Sequence, residues 1–342
     1  MGRLLHAHPQ NNSAVPHAAW APLTAFTTSL IVVWWLVRSR LGAIALDHPN
    51  RRSLHATPTP RSGGLGIHAG IVLAWLTAGF NLPLMLWFAF ALLFAVSLLD
   101  DVHGVPVAAR FVTYLAAACL VTVDLLFADF GTIAVLIAAL ALAWMANLYN
   151  FMDGADGLAG GMAVFGFSFY GIAASAAGMN AFALANFSMA AAAAAFLVFN
   201  FHPARIFMGD VGAVPLGFLA GTFGLLGWLQ HDWPWWFPPL VFSPFIVDAS
   251  VTLARRLLHR ERVWRAHRDH YYQRLVQLGW GHRRTAAAEY ALMTACGGVA
   301  LLMLKLPPAA QWSVLGMMAA IYLLLLTLIG RIWQKFRTGT AA

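Results

Sequence analysis

Charged side chains are scarce in this sequence. Asp, Glu, Lys and Arg together make up 10% of its 342 residues, whereas about a quarter of the residues of a soluble domain are charged. Hydrophobic residues account for 61% of the chain, and its mean hydropathy is +0.70. These values exclude an ordinary soluble domain. They predict an all-α polytopic membrane protein, folded as a single integral membrane domain over residues 1–342.

Cysteine and acidic residues are also few. The two cysteines, Cys119 and Cys296, lie in apolar runs, which excludes a disulfide framework and a cysteine metal site. The 13 acidic residues are outnumbered by 21 basic ones, and the net charge is +8. Because the basic residues are confined to certain loops between apolar runs, this charge does not indicate a nucleic-acid partner. Residues 1–16 lack the apolar core of a signal peptide, so the first apolar run is expected to be the membrane signal.

The apolar runs predict about eleven membrane spans, several of them shorter than the roughly 20 residues of a full span. All basic residues except Arg3 and Lys305 fall after odd-numbered spans or in the C-terminal tail. The positive-inside rule therefore predicts the N-terminus outside, the C-terminus in the cytoplasm and five cytoplasmic loops. The loops cover about 38–65, 100–110, 147–161, 200–213 and 255–285. The spans are 20–37, 66–80, 83–99, 111–127, 131–145, 162–177, 181–199, 214–229, 237–254, 286–304 and 310–329.

The stretch 147–161, between two apolar runs, is rich in Asn, Asp and Gly. Its polar and flexible residues are Asn147, Asn150, Asp153, Asp156 and Gly157. Polar groups at such a depth cost several kcal/mol unless they are paired or functional, and glycine amides can approach a bound anion closely. An ordinary helix end and turn is the alternative. We favour a site because two other loops on the same side also carry acidic residues.

Those loops contribute Asp100, Asp101 and Asp210. Carboxylates brought together repel unless a cation joins them, and their hard oxygens favour Mg²⁺ or Mn²⁺ with substrate phosphates. Arginine forks suit phosphate oxygens. The same side carries Arg51, Arg61, Arg110, Arg205 and Arg268. The combination indicates a site for phosphoryl or pyrophosphate chemistry.

His267 and His270 are spaced to lie on one face of a predicted helix. With no cysteine on this side to complete a zinc site, phosphate contact is favoured over zinc; a solvated interfacial helix is the alternative. Asp248 lies within a predicted span and needs a partner there. We favour a structural role for it over support of the site.

These motifs resemble the polyprenyl-phosphate N-acetylhexosamine-1-phosphate transferase family, closest to its O-antigen-initiating branch. The resemblance covers nearly the whole chain from Asp47 to Arg284, with the motifs in family order. The first-loop pattern HxxPTPRxGG starts at His55, the pattern NxxNxxDGxDGL at Asn147 and the pattern FMGDxG at Phe207. The other matching elements are Asp100, Asp101, His267 and His270.

The resemblance implies a transfer from a UDP-N-acetylhexosamine to undecaprenyl phosphate at the cytoplasmic face of a bacterial inner membrane. It implies that Asp100, Asp101 and Asp210 are catalytic. In this interpretation Asp210 binds Mg²⁺ with help from Asn150, and Asp100 lies near the lipid phosphate, as base or positioner, with Asp101 beside it. It places the uridine end at Asp153 and Asp156, and the diphosphate at His267, Arg268 and His270. The further substrate-binding residues in this interpretation are Asn147, Gly157, Arg61 and Arg205.

The motifs leave open the donor sugar, the oligomeric state and a transport function. The two separated late histidines speak against a muramoyl-pentapeptide substrate, but no motif distinguishes N-acetylglucosamine from N-acetylfucosamine or N-acetylquinovosamine. A homodimer is possible. A transporter of an anionic solute is the main alternative, although transporters place their charges near the membrane midplane rather than at one face. Motifs of a CDP-alcohol phosphotransferase or an aromatic prenyltransferase are incomplete here.

The predicted topology is testable with reporter fusions. A reporter that is active only in the periplasm should work when fused before Trp20 and fail when fused near Arg262, because the basic loops are retained in the cytoplasm. The reverse pattern would contradict the assignment of the polar loops to the cytoplasmic face.

Overall fold

A computed structural model describes residues 16–39, 45–47, 58–262 and 267–339. Of these residues 81% are helical and very few lie in strands, and the predicted all-α multi-pass membrane architecture is confirmed. Arg51 and the start of the first-loop pattern, including His55, lie outside the described residues.

The described elements follow one another without a large sheet. A 3-10 turn at Pro16–Trp20 leads into α1, and one π-helical turn, Val276–Trp280, follows α10. Strands β1 (Leu46–Asp47) and β2 (Thr59–Pro60) pair antiparallel, with Leu46 opposite Pro60. The helices are α1 (Ala21–Arg38), α2 (Gly63–Ala78), α3 (Leu84–His103), α4 (Val107–Phe151), α5 (Leu158–Ala176), α6 (Asn180–Asn200), α7 (Asp210–Leu229), α8 (Phe237–Val241), α9 (Ser243–Leu258), α10 (Tyr271–Leu275), α11 (Gly281–Met303) and α12 (Pro308–Arg337).

Eight helical segments within the described residues are long and apolar enough to cross a membrane, and α2 is a shorter apolar helix. Each predicted span falls mainly on helical residues, with differences of one or two residues at its ends or a short break within it. The number of spans that cross the membrane and the sides of the two termini stay predictions.

Helix α4 corresponds to two predicted spans. Its 45 residues would form a straight rod about 68 Å long, more than twice the roughly 30 Å hydrocarbon core of a bilayer. Gly131 interrupts it with φ 72° and ψ −176°, a conformation that only glycine adopts readily. The break separates arms 107–130 and 132–151, where the sequence predicts a connection between spans.

Helix α7 is the most enclosed of the long helices and α12 the least. Helix α7 packs against α2, α3, α4 and α5. Small residues allow this close packing: a Cβ at Gly217 would lie 2.5 Å from the Met145 carbonyl oxygen and 2.5 Å from the Tyr149 Cβ. The first residue of α7 therefore lies at the centre of one end of the bundle.

This packing predicts that Gly217→Ala destabilises the protein by roughly 1–3 kcal/mol, because the added methyl group forces α4 and α7 apart. Thermal unfolding in detergent measures the effect. Gly316→Ala in α12 is the matched control, since a Cβ there meets nothing within 4 Å, and helix propensity favours alanine. Equal melting temperatures for the two variants would contradict the close packing.

Candidate active site

Asp210 is the centre of the site. It is the first residue of α7, where the helix dipole stabilises a carboxylate, and its side chain is only 8% exposed. Its Oδ1 lies 3.5 Å from Arg61 Nη2. Its Oδ2 lies 3.0 Å from Arg110 Nη1 and accepts a 3.0 Å hydrogen bond from Asn150 Nδ2. Residues from four of the predicted loops therefore meet at one carboxylate.

Asp101 holds the start of α7. Its Oδ1 accepts the backbone N–H of Asp210 at 3.1 Å, its Oδ2 accepts that of Val211 at 2.8 Å, and Arg61 Nη2 lies 3.2 Å from Oδ1. These amides have no partner within their own helix. The side chain is 1% exposed. This geometry supports a positioning role for Asp101 rather than the catalytic role expected from the sequence.

Gly209 makes this approach possible. Its φ of 72° lies in the left-handed region, and a Cβ there would lie 2.7 Å from Asp101 Oδ2 and against the Arg61 carbonyl oxygen. A side chain at this position would both strain the backbone and separate α7 from Asp101. The glycine of the sequence pattern is therefore needed for contact between the two aspartates.

Asp100 is tied to the same centre by Arg110. Arg110 Nη1 lies 2.5 Å from Asp100 Oδ2 and 3.0 Å from Asp210 Oδ2, so one guanidinium nitrogen bridges two carboxylates. The other oxygen of Asp100 accepts the Val105 N–H at 2.6 Å. Asp100 keeps 11% of its side-chain surface exposed, more than Asp101, and it is the better placed of the two to meet a substrate.

Arg61 reaches the cluster because its loop pairs with the segment before α7. The Phe207 N–H donates to the Pro60 carbonyl at 2.7 Å, and the Gly63 N–H donates to the Phe207 carbonyl at 2.9 Å. Burial opposes the charge of Arg61, but Asp101 and Asp210 outweigh it and raise the pKa of the guanidinium. Arg61 therefore stays charged beside the carboxylates.

Asp153 follows α4 and adds a fourth carboxylate. Burial raises the pKa of Asp153 well above its ordinary value, the charge of Asp210 raises it further, and Arg61 opposes the shift. We define Asp100, Asp101, Asp153 and Asp210 as the carboxylate cluster. Its four acids outnumber the two guanidinium groups of Arg61 and Arg110, so a cation would relieve the repulsion that adds to the effect of burial on the Asp153 pKa.

The donor set fits Mg²⁺ or Mn²⁺, which prefer carboxylate and amide oxygens. Within the carboxylate cluster, Asp210 is the member that the side chains of Arg61, Arg110 and Asn150 all contact. Asn150 turns its amide nitrogen, not its oxygen, toward Asp210. Metal ligation by Asn150, as the sequence predicts, therefore requires the amide to rotate so that the oxygen faces the ion.

Asp156 and Gly157 lie at a second centre that sequence reasoning did not find. Asp156 Oδ2 lies 2.7 Å from His202 Nδ1 and accepts the Ala204 N–H at 3.1 Å, and Asp156 Oδ1 lies 3.4 Å from His282 Nδ1. The Gly157 N–H donates to Asn200 Oδ1 at 2.9 Å. Neither histidine lies in a recognisable motif, so only the fold brings them together.

The helix predicted over the late histidines is wrong. His267 and His270 precede α10, which begins at Tyr271, yet their ring centroids are 4.9 Å apart. The helix begins only at Tyr271 because the Asp248 carboxylate caps it. Asp248 accepts the backbone N–H groups of Tyr271 at 2.9 Å and Tyr272 at 3.0 Å. Its Oδ1 also lies 3.3 Å from Nδ1 of the buried His270. These contacts support the structural role for Asp248.

Three other residues that the sequence predicts to bind substrate make their described contacts outside the carboxylate cluster. The exposed Arg205 stacks over Phe199, 5.0 Å from its ring centroid, and donates to the Val198 carbonyl at 3.3 Å. Asn147 is half-buried on α4, one turn before Asn150. Arg268 lies in the segment before α10, and its carbonyl accepts a 3.1 Å hydrogen bond from Gln277.

Comparison with known proteins gives one matching family model. The family model described as "Glycosyl transferase family 4" matches residues 83–227. This range includes the polar turn after α4 and all but the last two residues of α7. It therefore covers all four members of the carboxylate cluster.

Curated relatives match over most of the chain. A decaprenyl-phosphate N-acetylglucosaminephosphotransferase of Mycobacterium tuberculosis (strain H37Rv) is 30% identical over 308 residues, covering 75% of this chain and 74% of the relative. A probable undecaprenyl-phosphate N-acetylglucosaminyl 1-phosphate transferase of Bacillus subtilis is 27% identical over 288 residues, covering 79% and 80%. A phospho-N-acetylmuramoyl-pentapeptide-transferase of Moorella thermoacetica is 38% identical over only 98 residues, covering 29% and 31%.

The contacts of Asp101 predict that Asp101→Ala lowers both stability and activity. Loss of a helix cap costs about 0.5–2 kcal/mol, and the start of α7 would shift Asp210. Thermal unfolding and activity of the same preparation measure both effects. Asp101→Asn keeps one oxygen acceptor and should lose less stability; a fully stable Asp101→Ala variant would contradict the positioning role.

Proposed function

Since the chain belongs to glycosyl transferase family 4, we propose that it transfers N-acetylhexosamine 1-phosphate from a UDP-sugar to undecaprenyl phosphate. The products are sugar-pyrophosphoryl-undecaprenol and UMP. The observation that carries the proposal is the carboxylate cluster around Asp210, with Arg61 and Arg110 beside it. A mixture of acids and guanidinium groups suits a divalent ion and a diphosphate together.

The acceptor follows from the relatives and from the membrane architecture. The relatives are named for transfer to undecaprenyl or decaprenyl phosphate, and a multi-pass membrane protein presents its site to such a lipid. We place the site at the cytoplasmic face of a bacterial inner membrane, because the basic loops supply its residues and nucleotide sugars are cytoplasmic. We also propose that the product is of the O-antigen type, on the basis of the first-loop pattern and the late histidines.

Asp210 would hold Mg²⁺ or Mn²⁺, with Asn150 assisting once its amide oxygen is turned inward. When bound, the ion supplies charge neutralisation at the diphosphate. Arg61 and Arg110 each contact Asp210 and can transfer hydrogen bonds from carboxylate to phosphate oxygens as the donor enters. Arg forks bind such oxygens in two-point fashion.

Asp100 is proposed to position the acceptor phosphate or take its residual proton. The partly exposed carboxylate is held by Arg110 and the Val105 amide, so it is oriented before the lipid arrives. Asp153 and Asp156 are proposed to meet the uridine end. His267, Arg268 and His270 are proposed to meet the diphosphate; His270 faces Asp248 through Nδ1, which leaves Nε2 for a phosphate oxygen.

Direct displacement of UMP by the lipid phosphate, without a covalent enzyme intermediate, is the route with the fewest steps. An oxygen of the lipid phosphate attacks the sugar-bearing phosphorus of the donor. The bond from that phosphorus to the bridging oxygen breaks, and UMP leaves with the electron pair. A phosphate monoester has a second pKa of about 6 and is largely dianionic near neutral pH, so it needs positioning more than activation.

Asp210→Asn should lower turnover by at least about 100-fold, through loss of charge compensation at the metal and diphosphate. UMP release from a panel of UDP-N-acetylhexosamines, with undecaprenyl phosphate and Mg²⁺, measures turnover and identifies the sugar. EDTA should abolish wild-type activity. Activity that persists in EDTA would refute the metal, and absence of UMP with every donor would refute the transferase.

Direct displacement predicts no isotope exchange without acceptor. Labelled UMP, enzyme, Mg²⁺ and UDP-sugar are incubated after all lipid phosphate has been removed, and label in UDP-sugar is counted. Label should appear only after undecaprenyl phosphate is added. Exchange without lipid that disappears in Asp100→Asn would establish a covalent sugar-phosphoryl intermediate instead.

A further inference from the structure

Three metal-ligating side chains meet outside the carboxylate cluster, and the proposed reaction does not account for two of them. Asp156 comes from the turn after α4, His202 from the loop between α6 and α7, and His282 from the start of α11. One ligand atom from each lies within 4.8 Å of the others. We call Asp156, His202 and His282 the histidine–aspartate centre.

The hydrogen bonds define the state of His282. The backbone N–H of Asp156 donates to His282 Nδ1 at 3.1 Å, so this nitrogen carries a lone pair and the ring proton resides on Nε2. A neutral imidazole is the form that binds a metal ion. The lone pair lies 3.4 Å from Asp156 Oδ1, an approach of two electron-rich atoms that a shared cation would favour.

His202 completes the arrangement from the opposite loop. Its Nδ1 lies 2.7 Å from Asp156 Oδ2, and its ring is parallel to that of His282 within 8°, with centroids 5.3 Å apart. To hold the Asp156 carboxylate in place by hydrogen bonds, one imidazole and the Ala204 amide would be sufficient; the amide already donates to Oδ2 at 3.1 Å. The second imidazole comes from a third segment: its Nδ1 accepts the Asp156 N–H at 3.1 Å and lies 3.4 Å from Asp156 Oδ1, so both rings face the same carboxylate.

We propose that the histidine–aspartate centre is a second metal site, selective for an ion of the Zn²⁺ class. Two imidazoles and a carboxylate suit Zn²⁺, whereas Mg²⁺ prefers oxygen ligands alone. Three protein ligands leave a fourth position for water. His202 keeps 43% of its side chain exposed, so the ion can enter from solvent.

Binding rearranges protons in a defined way. The ion takes a nitrogen lone pair from each ring and an oxygen of Asp156. Where it takes His202 Nδ1, the proton shared with Asp156 leaves to solvent, as metal binding to protonated ligands requires. When the ion takes the lone pair of His282 Nδ1, that nitrogen exchanges its hydrogen bond with the Asp156 N–H for a metal–nitrogen bond of about 2.0–2.1 Å.

Occupancy would join three segments that are far apart in sequence. The turn after α4, the α6–α7 loop and the start of α11 would share one ion. Since the ion binds only where these ligands are assembled, it should raise the stability of the folded protein. An ion on Asp156 would take the carboxylate that is proposed to meet the uridine end of the donor. The gain in stability is measured without donor, so it tests the inference separately from the proposed function.

The experiment uses the full-length, tag-free protein in detergent, stripped of metal and supplied with excess Mg²⁺ to occupy oxygen-ligand sites. Zn²⁺ is titrated in competition with a fluorescent zinc chelator, and thermal unfolding is recorded with and without Zn²⁺. We expect one tight equivalent and a higher melting temperature. Loss of an outer contact to a ligand already costs about 10–100-fold in affinity, so His202→Ala or His282→Gln should cost at least about 100-fold.

Two controls keep the result decisive. His282→Gln keeps an oxygen that accepts the Asp156 N–H, so a folded variant that loses zinc separates ligation from folding. His259→Ala, an exposed histidine at the end of α9, should bind zinc normally. No tight equivalent in wild type, or equal affinity in His202→Ala and His282→Gln, would overturn the site. Loss only in a His267→Ala/His270→Ala variant would move the ion to the late histidines and also overturn it.

Discussion

The hydrogen bonds from the start of α7 to the Asp101 carboxylate are the contact on which the candidate site depends. They place two acidic residues, Asp101 and Asp210, in contact, because the Asp101 Oδ1 accepts the backbone N–H of Asp210 at 3.1 Å. That arrangement is unfavourable by charge alone. It persists because the unpaired amides of a helix N-terminus need an acceptor, because Gly209 leaves room for it, and because Arg61 contacts both carboxylates.

Charge compensation explains the rest of the site. Arg110 bridges Asp100 and Asp210, and burial beside Asp210 raises the pKa of Asp153. The protein's own guanidinium groups therefore balance the acids only in part. A divalent cation and a diphosphate complete the balance in the proposed reaction: the ion meets the remaining carboxylate charge, and the arginines become available for phosphate oxygens.

The sequence predicted the features that depend on local chemistry. Apolar runs located the helices, and the positive-inside rule grouped the loops whose residues do meet at Asp210. Particular side-chain roles could not be predicted this way, because they depend on contacts between helices. Asp100 and Asp101 are adjacent and chemically identical, and only the position of α7 makes one a cap and leaves the other open to substrate.

The same limit explains the wrong and missing assignments. The spacing of His267 and His270 suits a helix, but Asp248 caps a helix that begins at Tyr271. Arg205 lies in a basic loop, yet it stacks on Phe199. His202 and His282 are 80 residues apart and reach Asp156 only through the packing of the bundle.

The central claim is that the carboxylate cluster at the start of α7 holds a divalent cation through Asp210. Electron paramagnetic resonance of bound Mn²⁺, measured on wild type and Asp210→Asn without substrate, tests it most directly. If Asp210 holds the cation, wild type should give a bound-Mn²⁺ signal that Mg²⁺ displaces, that Asp210→Asn loses, and that His282→Gln retains. A signal of equal strength in Asp210→Asn and wild type would contradict the account.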